Sequence, residues 1–197
     1  ITSIMGDILF IGLTSESHSP MALRTAGEWQ VARRLLAVPG VAEALTMGGD
    51  VRQYQVLLHP KRLDALQITA DEVAHALEVA NQNTSAGFLV EGGQEHLIQG
   101  VGRVQGPQDI GQTLVTMREN RPVLVAELGT VQIGAAMKRG EAGVDGQRGV
   151  IIGIRKQPGA NTIELTRDIE DTLIMLQSSL PEGMTLHRSI FRQADFI

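Results

Sequence analysis

Methionine is the side chain whose number and placement in this sequence most suggest binding chemistry. The chain has seven methionines, and their thioethers are soft ligands for ions such as Cu(I) or Ag(I). Methionine is also flexible enough to fill gaps in a core, and we expect Met5, Met175 and Met184 to do so. Met137 differs, because residues 134–140 are small or charged and show no apolar periodicity. Two interpretations of Met137 stay open, a metal contact and a structural thioether.

Histidine, cysteine and the carboxylates form no recognisable metal site or nucleophile. A typical zinc motif has two histidines three or four residues apart, and no two histidines of this sequence have that spacing. The chain has no cysteine, which excludes disulfides, thiolate ligands and cysteine nucleophiles. Glu91 and Glu95 flank a Gly-Gly pair and could contact a cation, but a solvated hairpin tip is the simpler interpretation. The five histidines are His18, His59, His75, His96 and His187.

Motifs for enzymatic chemistry are also missing. Gly100, Gly102 and Gly106 superficially resemble a dinucleotide-binding fingerprint, but the third glycine comes one place late and no βαβ unit surrounds it. No serine lies in a Gly-x-Ser-x-Gly elbow. The sequence therefore predicts neither an enzyme nor a bound cofactor.

Composition narrows the possible partners. A net charge of −5 without a compensating run of Lys and Arg argues against a nucleic-acid-binding protein. Aromatic residues make up only 3% of the chain, too few for base-stacking platforms or aromatic-lined sugar clefts. No segment approaches the ~20 apolar residues that span a bilayer. Because the sequence begins with Ile rather than Met, we expect a segment of a longer protein.

The elements that must position these residues follow a pattern that occurs twice. An apolar run at residues 4–13 leads into a helical stretch that begins at Ser19-Pro20. A second apolar run at residues 150–154 leads into a helical stretch that begins at Asn161. Each helix ends at a Pro/Gly stop, and another strand-like segment follows. Two strand–helix–strand units with a large insertion between them predict a split αβ sandwich that carries a guest domain.

Both helices have a single apolar face, which predicts that they cover one side of a sheet. Ser19 is a good N-cap, and Pro20 suits the first helical position because no amide hydrogen is needed there. The two predicted buried stripes are Leu23, Gly27, Val31, Leu35 and Val38 in the first helix, and Leu165, Ile169, Leu173, Leu176 and Leu180 in the second.

The insertion has its own strands and helices. Thr69 and Glu72 have the spacing of a capping box at the start of a helix. Apolar triplets on either side of residues 91–95 indicate a hairpin. The other predicted elements are strands at 51–58, 123–125 and 130–133, a short helical turn at 61–66 and a short helix at 109–114.

Several segments in collinear order resemble one family. The residues that carry the likeness lie at 35–41, 48–56, 92–95, 122–125, 138–140 and 191–195. Together they are similar to the periplasmic portion of resistance-nodulation-division efflux transporters of the heavy-metal branch. The resemblance implies an α+β fold, a ferredoxin-like split βαβ–βαβ sandwich with an inserted mixed α+β docking subdomain. Residues 1–47 and 141–197 would form the second N-terminal porter subdomain, and residues 48–140 the docking subdomain.

The function implied by this resemblance is export of a heavy-metal cation by a proton-driven trimeric pump. The chain would be a periplasmic portion of a bacterial inner-membrane protein, involved in gating the substrate path, in trimer assembly and in docking. Its partners would be the rest of the transporter, a periplasmic adaptor, an outer-membrane channel and the metal cation. Proton-relay and principal metal-site residues would lie outside the chain. The sequence does not specify which metal is exported.

The resemblance also assigns residues. Met137 matches a methionine in copper- and silver-exporting members that is thought to line the metal path, although Lys138 and Ala135 depart from that pattern. The predicted hairpin matches an arm that reaches the neighbouring subunit, so subunit contacts are expected from Phe88, Leu89, Val90, Glu91, Gln94, Glu95 and His96. An alternative from another class is a free-standing periplasmic metal-binding module.

Overall fold

The chain forms two compact units. The computed structural model describes residues 6–82, 84–91, 94–100, 104–138 and 140–196. The first unit contains residues 1–52 and 135–197, and the second contains residues 53–134. Helices and antiparallel strands are mixed in both, which confirms the predicted α+β class. Within the described residues, no helix has the length and apolar character needed to cross a membrane.

The first half of the chain alternates strands with short helices. Its elements are β1 (Asp7–Ser15), α1 (Pro20–Ala26), a π-helical segment (Gly27–Ala32), α2 (Arg33–Leu36), β2 (Val41–Gly48), β3 (Arg52–Leu58), α3 (Pro60–Leu66), α4 (Ala70–Ala80), β4 (Thr84–Glu91) and β5 (Gln94–Gly100).

The second half contains the longest helix of the described chain. Its elements are α5 (Pro107–Gly111), β6 (Leu114–Arg118), β7 (Arg121–Leu124), α6 (Val125–Leu128), β8 (Gly129–Ala135), β9 (Ala142–Val144), β10 (Gln147–Lys156), α7 (Thr162–Gln177), β11 (Met184–Arg192) and a 3-10 turn (Gln193–Phe196).

One antiparallel sheet organises the first unit. Its strand order is β11–β1–β10–β2, and the short β9 pairs with β10. In the centre Ile11 of β1 lies opposite Ile152 of β10, and Ile152 lies opposite Thr46 of β2. The helical stretch from α1 to α2 connects β1 to β2, and α7 connects β10 to β11. The two strand–helix–strand units therefore interleave, with the first strand of each at the centre of the sheet.

The core of the first unit lies between this sheet and its helices. Alternating residues of β1 and β10 are fully buried because successive side chains of a strand point to opposite faces. Both predicted helical stripes are buried against them, which confirms the helical periodicity. The fully buried residues of the two central strands include Leu9, Ile11, Leu13, Val150, Ile152 and Ile154.

The predicted helix starts are confirmed. Ser19 Oγ accepts a hydrogen bond from the amide of Ala22 at 3.2 Å, and Asn161 Oδ1 accepts one from the amide of Ile163 at 3.0 Å. The π-helical segment that follows α1 was not predicted. It begins at Gly27, where a Cβ atom would lie only 3.2 Å from Val150 Cγ1, so the absence of a side chain allows the helix to approach the sheet closely.

The second unit has a smaller core. β3 pairs with β8, β4 with β5 and β6 with β7. The predicted capping box is confirmed, because the amide of Thr69 donates to Glu72 at 2.7 Å and the amide of Glu72 donates to Thr69 Oγ1 at 3.2 Å. The core residues are Ile68, Val73, Ile110, Val123, Val125 and Leu128.

Two short elements of the second unit differ from the prediction. Val125, expected at the end of a strand, begins helix α6 instead. The Glu127 carboxylate accepts a hydrogen bond from the amide of Leu124 at 3.2 Å, which favours a helical turn at this point. The strand β6 was not predicted, because its five residues contain too few repeats to show a period. Its first residue, Leu114, was expected to end a short helix, which instead spans Pro107–Gly111.

Candidate functional site

Met137 lies at the surface of the first unit. It follows β8, and 91% of its side chain is exposed. It therefore does not fill the core of its unit. Of the methionines predicted to lie in the core, Met184 is buried, which confirms the prediction. Met175 is 67% exposed, so its assignment to the core is wrong. Met5 lies outside the described residues.

Met137 lines a groove of about 430 Å³. A second methionine, Met47 at the end of β2, lines the same groove and is 37% exposed. Met47 was not predicted as a candidate ligand, because a single methionine in a strand carries no local signal of such a role. The lining residues, all of the first unit, are Arg24, Met47, Gly48, Gly49, Val51, Ala136, Met137, Lys138 and Gly140.

A glycine turn forms one wall of this groove. Gly48 and Gly49 have φ angles of +76° and +66°, which a residue with a side chain adopts only at a cost. Arg24 Nη1 donates to the Gly48 carbonyl at 2.8 Å, and Arg24 Nη2 lies 2.6 Å from Glu28 Oε1. The amide of Asp50 donates to the carbonyl of Pro20 at 3.3 Å. The turn is thus held against α1.

Lys138 also lines the groove. Its ammonium group lies 2.7 Å from Glu141 Oε1 and 3.4 Å from Asp50 Oδ1. The hydrogen bond with Glu141 raises the pKa of Lys138, and the same bond lowers the pKa of the Glu141 carboxyl. Arg148 Nε lies 3.9 Å from Glu141 Oε2. The lysine next to Met137 is therefore neutralised by two carboxylates.

This ion-pair arrangement gives a pH prediction. The lowered pKa of Glu141 means that its contact with Lys138 is fully present above the ordinary value of 4.5 and is lost as the pH falls through the lowered value. The raised pKa of Lys138 means that the contact persists to above pH 10.5 and is lost at still higher pH. A carbon-13 NMR titration of the Glu141 carboxyl should give a midpoint below 4.5.

A pair of variants separates the two cations near Glu141. Lys138→Met should move the Glu141 midpoint up toward 4.5, and Arg148→Met should move it less, because the hydrogen bond from Lys138 is the larger cause. If the titration midpoint of Glu141 were unchanged in Lys138→Met, the hydrogen bond from Lys138 would not be the cause of the lowered pKa.

The chemistry available in the groove is that of thioethers. Among the described residues, no group of three or more His, Asp and Glu side chains is arranged to hold a metal ion. Thioether sulfur is a soft ligand that suits Cu(I) or Ag(I), and it carries no charge. Among the described residues that line the groove, the two cations, Arg24 and Lys138, are both paired with carboxylates, which lowers the electrostatic cost of bringing a monovalent soft ion to Met47 and Met137.

The histidines near the sheet make ordinary hydrogen bonds. Thr14 Oγ1 and His187 Nε2 are 2.8 Å apart, and Ser15 Oγ and His18 Nδ1 are 3.0 Å apart. The Ser15 hydroxyl also donates to the Gly183 carbonyl at 2.7 Å, so it is not poised as a nucleophile.

The predicted hairpin is confirmed at the level of the backbone. β4 and β5 are antiparallel, with Leu89 opposite His96 and Glu91 opposite Gln94. The side chains of residues 83–93 and 95–103 lie outside the described part of the structure. The subunit contacts expected from this hairpin therefore stay a prediction.

The sequence matches one protein family along its whole length. The profile of the AcrB/AcrD/AcrF family matches residues 1–197. The cation efflux system protein CusA of Escherichia coli strain K12 is 33% identical over 174 residues, covering 87% of this chain and 17% of that protein. The cobalt-zinc-cadmium resistance protein CzcA of Cupriavidus metallidurans is 28% identical over 170 residues, covering 86% of this chain and 16% of that protein. The chain thus spans only 16–17% of the length of these relatives.

The fold also matches a solved structure. The crystal structure of a heavy metal efflux pump superposes with a TM-score of 0.84 and covers 99% of this chain and 19% of the pump chain. The two sequences are 23% identical over this match, a level at which the likeness shows the fold alone.

Proposed function

The chain belongs to the AcrB/AcrD/AcrF family, and on that basis we propose that it is a periplasmic portion of a proton-driven, trimeric heavy-metal efflux pump of the bacterial inner membrane. The resemblance to heavy-metal transporters of the resistance-nodulation-division class is confirmed, and its members are transporters rather than enzymes. The names of the relatives, a cation efflux protein and a cobalt-zinc-cadmium resistance protein, support metal cations as the substrate class.

In this proposal residues 1–47 and 141–197 form the second N-terminal porter subdomain and residues 48–140 the docking subdomain. The first unit contains all of the former, the second unit lies within the latter, and residues 48–52 and 135–140 of the proposed docking subdomain fall in the first unit. The strand order β11–β1–β10–β2, with a helical connection in each strand–helix–strand repeat, supports a ferredoxin-like split sandwich for the first unit. The second unit has its own core and follows β2 in the chain before β10 completes the sheet, as an inserted subdomain would.

The proposed roles differ between the two units. The first unit would gate the substrate path by moving as a rigid body, since its sheet and helices share one continuous core. The second unit would contribute the β4–β5 hairpin to trimer assembly and would dock to a periplasmic adaptor and an outer-membrane channel. Native mass spectrometry of the purified parent transporter tests the assembly: a trimer is expected, and a strictly monomeric parent would contradict it.

The observation that carries a metal-path role is the exposed thioether of Met137 in a groove that Met47 also lines. Two thioethers presented to one groove are suited to brief contact with a soft cation. Binding must be weak enough for the ion to leave, which fits a site with few ligands and without carboxylates in its lining.

Loss of the Met137 thioether should weaken soft-metal binding by this chain. Titration with Ag(I), followed by the shifts of the methionine methyl groups in NMR spectra, should show Met137 and Met47 responding together. Met137→Leu should weaken this binding by about tenfold or more, because leucine keeps the volume and removes the ligand. Met175→Leu is the matched control, since Met175 is also exposed but lies on α7 outside the groove.

The titration separates the alternatives. Equal Ag(I) affinity in Met137→Leu and Met175→Leu would contradict a metal contact at Met137. Tight stoichiometric binding by the isolated chain would instead favour a free-standing metal-binding module.

A further inference from the structure

The outer surface of the helical stretch in the first unit carries an exposed tryptophan. Trp29 lies in the π-helical segment, and 58% of its side chain is accessible to solvent. It is the only tryptophan of the chain. Since burial of a tryptophan ring is among the largest single gains that a side chain offers, an exposed ring leaves much of that gain unused.

An arginine holds the tryptophan ring in place. The guanidinium carbon of Arg33 lies 3.9 Å from the centroid of the Trp29 ring, one helical turn along. Such stacking fixes the ring face and orients the planar guanidinium. A pre-oriented Trp–Arg pair has lost side-chain freedom before any partner arrives, which lowers the entropic cost of binding.

This pair lines an open groove between two helical stretches. The groove has a volume of about 320 Å³ and an apolar contribution from Leu176. We refer to its lining as the Trp29–Arg33 surface, which consists of Trp29, Gln30, Arg33, Arg34, Leu176 and Ser179.

The charge of the Trp29–Arg33 surface is opposite to that of the chain. Arg33 and Arg34 are exposed, and neither forms an ion pair with any residue that the structure describes. The lining contains no acidic residue. The chain as a whole carries a net charge of −5. The groove is thus a locally cationic site, and free guanidinium edges match carboxylates in a bidentate manner.

We propose that the Trp29–Arg33 surface binds an acidic segment of a partner polypeptide. Carboxylates of the partner pair with Arg33 and Arg34, and an apolar side chain between them packs on the exposed Trp29 ring. Buried aromatic residues and arginines are the side chains that most often dominate the energy of a protein interface. This interaction is independent of the metal-path role of Met137, so each can fail without the other.

The single tryptophan makes the binding directly measurable. The probe is a short peptide of Glu, Asp and Leu, and its matched control replaces the acids with Gln and Asn. The acidic peptide should change the Trp29 fluorescence of the full 197-residue chain in a saturable way, with a Kd below about 1 mM. The Gln/Asn control peptide should bind at least about tenfold more weakly than the acidic peptide. Added salt should lower the affinity of the acidic peptide only.

Variants assign the binding to the two arginines. The double variant Arg33→Gln with Arg34→Gln should bind the acidic peptide with an affinity lower by about tenfold or more. Calorimetry measures this affinity, because the substitution also alters the environment of the tryptophan. Arg167→Gln is the matched control, because Arg167 is exposed on α7 more than two turns before Leu176. Circular dichroism checks that each variant remains folded.

Several outcomes would overturn the proposal. These are no saturable binding at about 1 mM peptide, equal affinity for the Gln/Asn control peptide, and unchanged affinity in the double arginine variant. The chain could instead bind phosphatidylglycerol vesicles in a way that depends on Arg33, and fail to bind the peptide. That result would assign the surface to anionic lipid. If sedimentation shows a dimer of the chain, and the Trp29→Ala variant is a monomer, the surface would be assigned to a second copy of the chain.

Discussion

Replacement of Ile152 with alanine is expected to lower the free energy of unfolding of the first unit by about 3 kcal/mol, within the range of about 2 to 5 for such core truncations. Ile152 is fully buried in the central strand β10. It lies between Ile11 of β1 and Thr46 of β2 in the strand register. Neighbours on both sides limit how far the structure can collapse into the space, so the cavity adds to the lost transfer free energy.

The measurement uses the tryptophan of the first unit. Urea unfolding followed by Trp29 fluorescence reports this unit, because the chain has no other tryptophan. The matched control is Leu45→Ala in the neighbouring strand β2, where Leu45 lies opposite Gly153 and is 51% exposed. That substitution should cost less than about 1 kcal/mol. Equal losses in the two variants would contradict a core on only one face of the sheet.

Gly48→Ala is expected to destabilise the first unit by about 3 kcal/mol in total. Gly48 has a φ angle of +76°, where a Cβ atom costs about 1 to 2 kcal/mol. A Cβ atom there would also lie 2.8 Å from the Ala142 amide nitrogen and 2.9 Å from the Gly149 carbonyl oxygen. Both atoms belong to the backbone of β9 and β10 and cannot move aside as a flexible side chain would.

A second glycine separates the two causes. Gly146 has a similar φ angle of +80°, but a Cβ atom there would meet nothing within 4 Å. Gly146→Ala should therefore cost only the backbone strain, about 1 to 2 kcal/mol. Urea unfolding followed by Trp29 fluorescence should give a clearly lower free energy of unfolding for Gly48→Ala than for Gly146→Ala. If both variants lost the same stability, close packing at Gly48 would be disproved.

The substitution at Gly48 should also disturb the groove beside Met137. The Gly48 carbonyl accepts the hydrogen bond of Arg24, and Ala142 directly follows Glu141, the partner of Lys138. Displacement of Ala142 should shift the NMR signal of the Met137 methyl group in Gly48→Ala. The same signal should stay in place in Gly146→Ala.

The features that could be predicted from the sequence are those set by neighbours along the chain. Ser19 and Asn161 cap their helices as predicted, and Thr69 forms its capping box with Glu72, because an N-cap contacts amides only two or three residues away. The apolar stripes of the two long helical stretches are buried as their period required. The shorter elements β6 and α6 escaped prediction, because five or fewer residues do not establish a period.

The methionines show where local pattern stops being informative. Met175 and Met184 are both predicted to fill the core, yet α7 turns Met175 outward while β11 turns Met184 into the core. Met47 and Met137 are distant in sequence and line one groove only because β2 and the segment after β8 both reach it. Exposure and proximity of this kind depend on which remote segments pack together.

Local sequence was enough to identify the helix caps and apolar stripes, the absence of enzyme motifs and the resemblance to a transporter family. Each of these depends on residues near one another in the chain or on an ordered set of short matches. The packed structure is needed to see that Arg24 and Lys138 line one groove, and that Trp29 and Arg33 stack at an open surface. The physical reason is that solvent exposure and charge pairing are properties of the packed fold, which brings distant residues within a few ångströms.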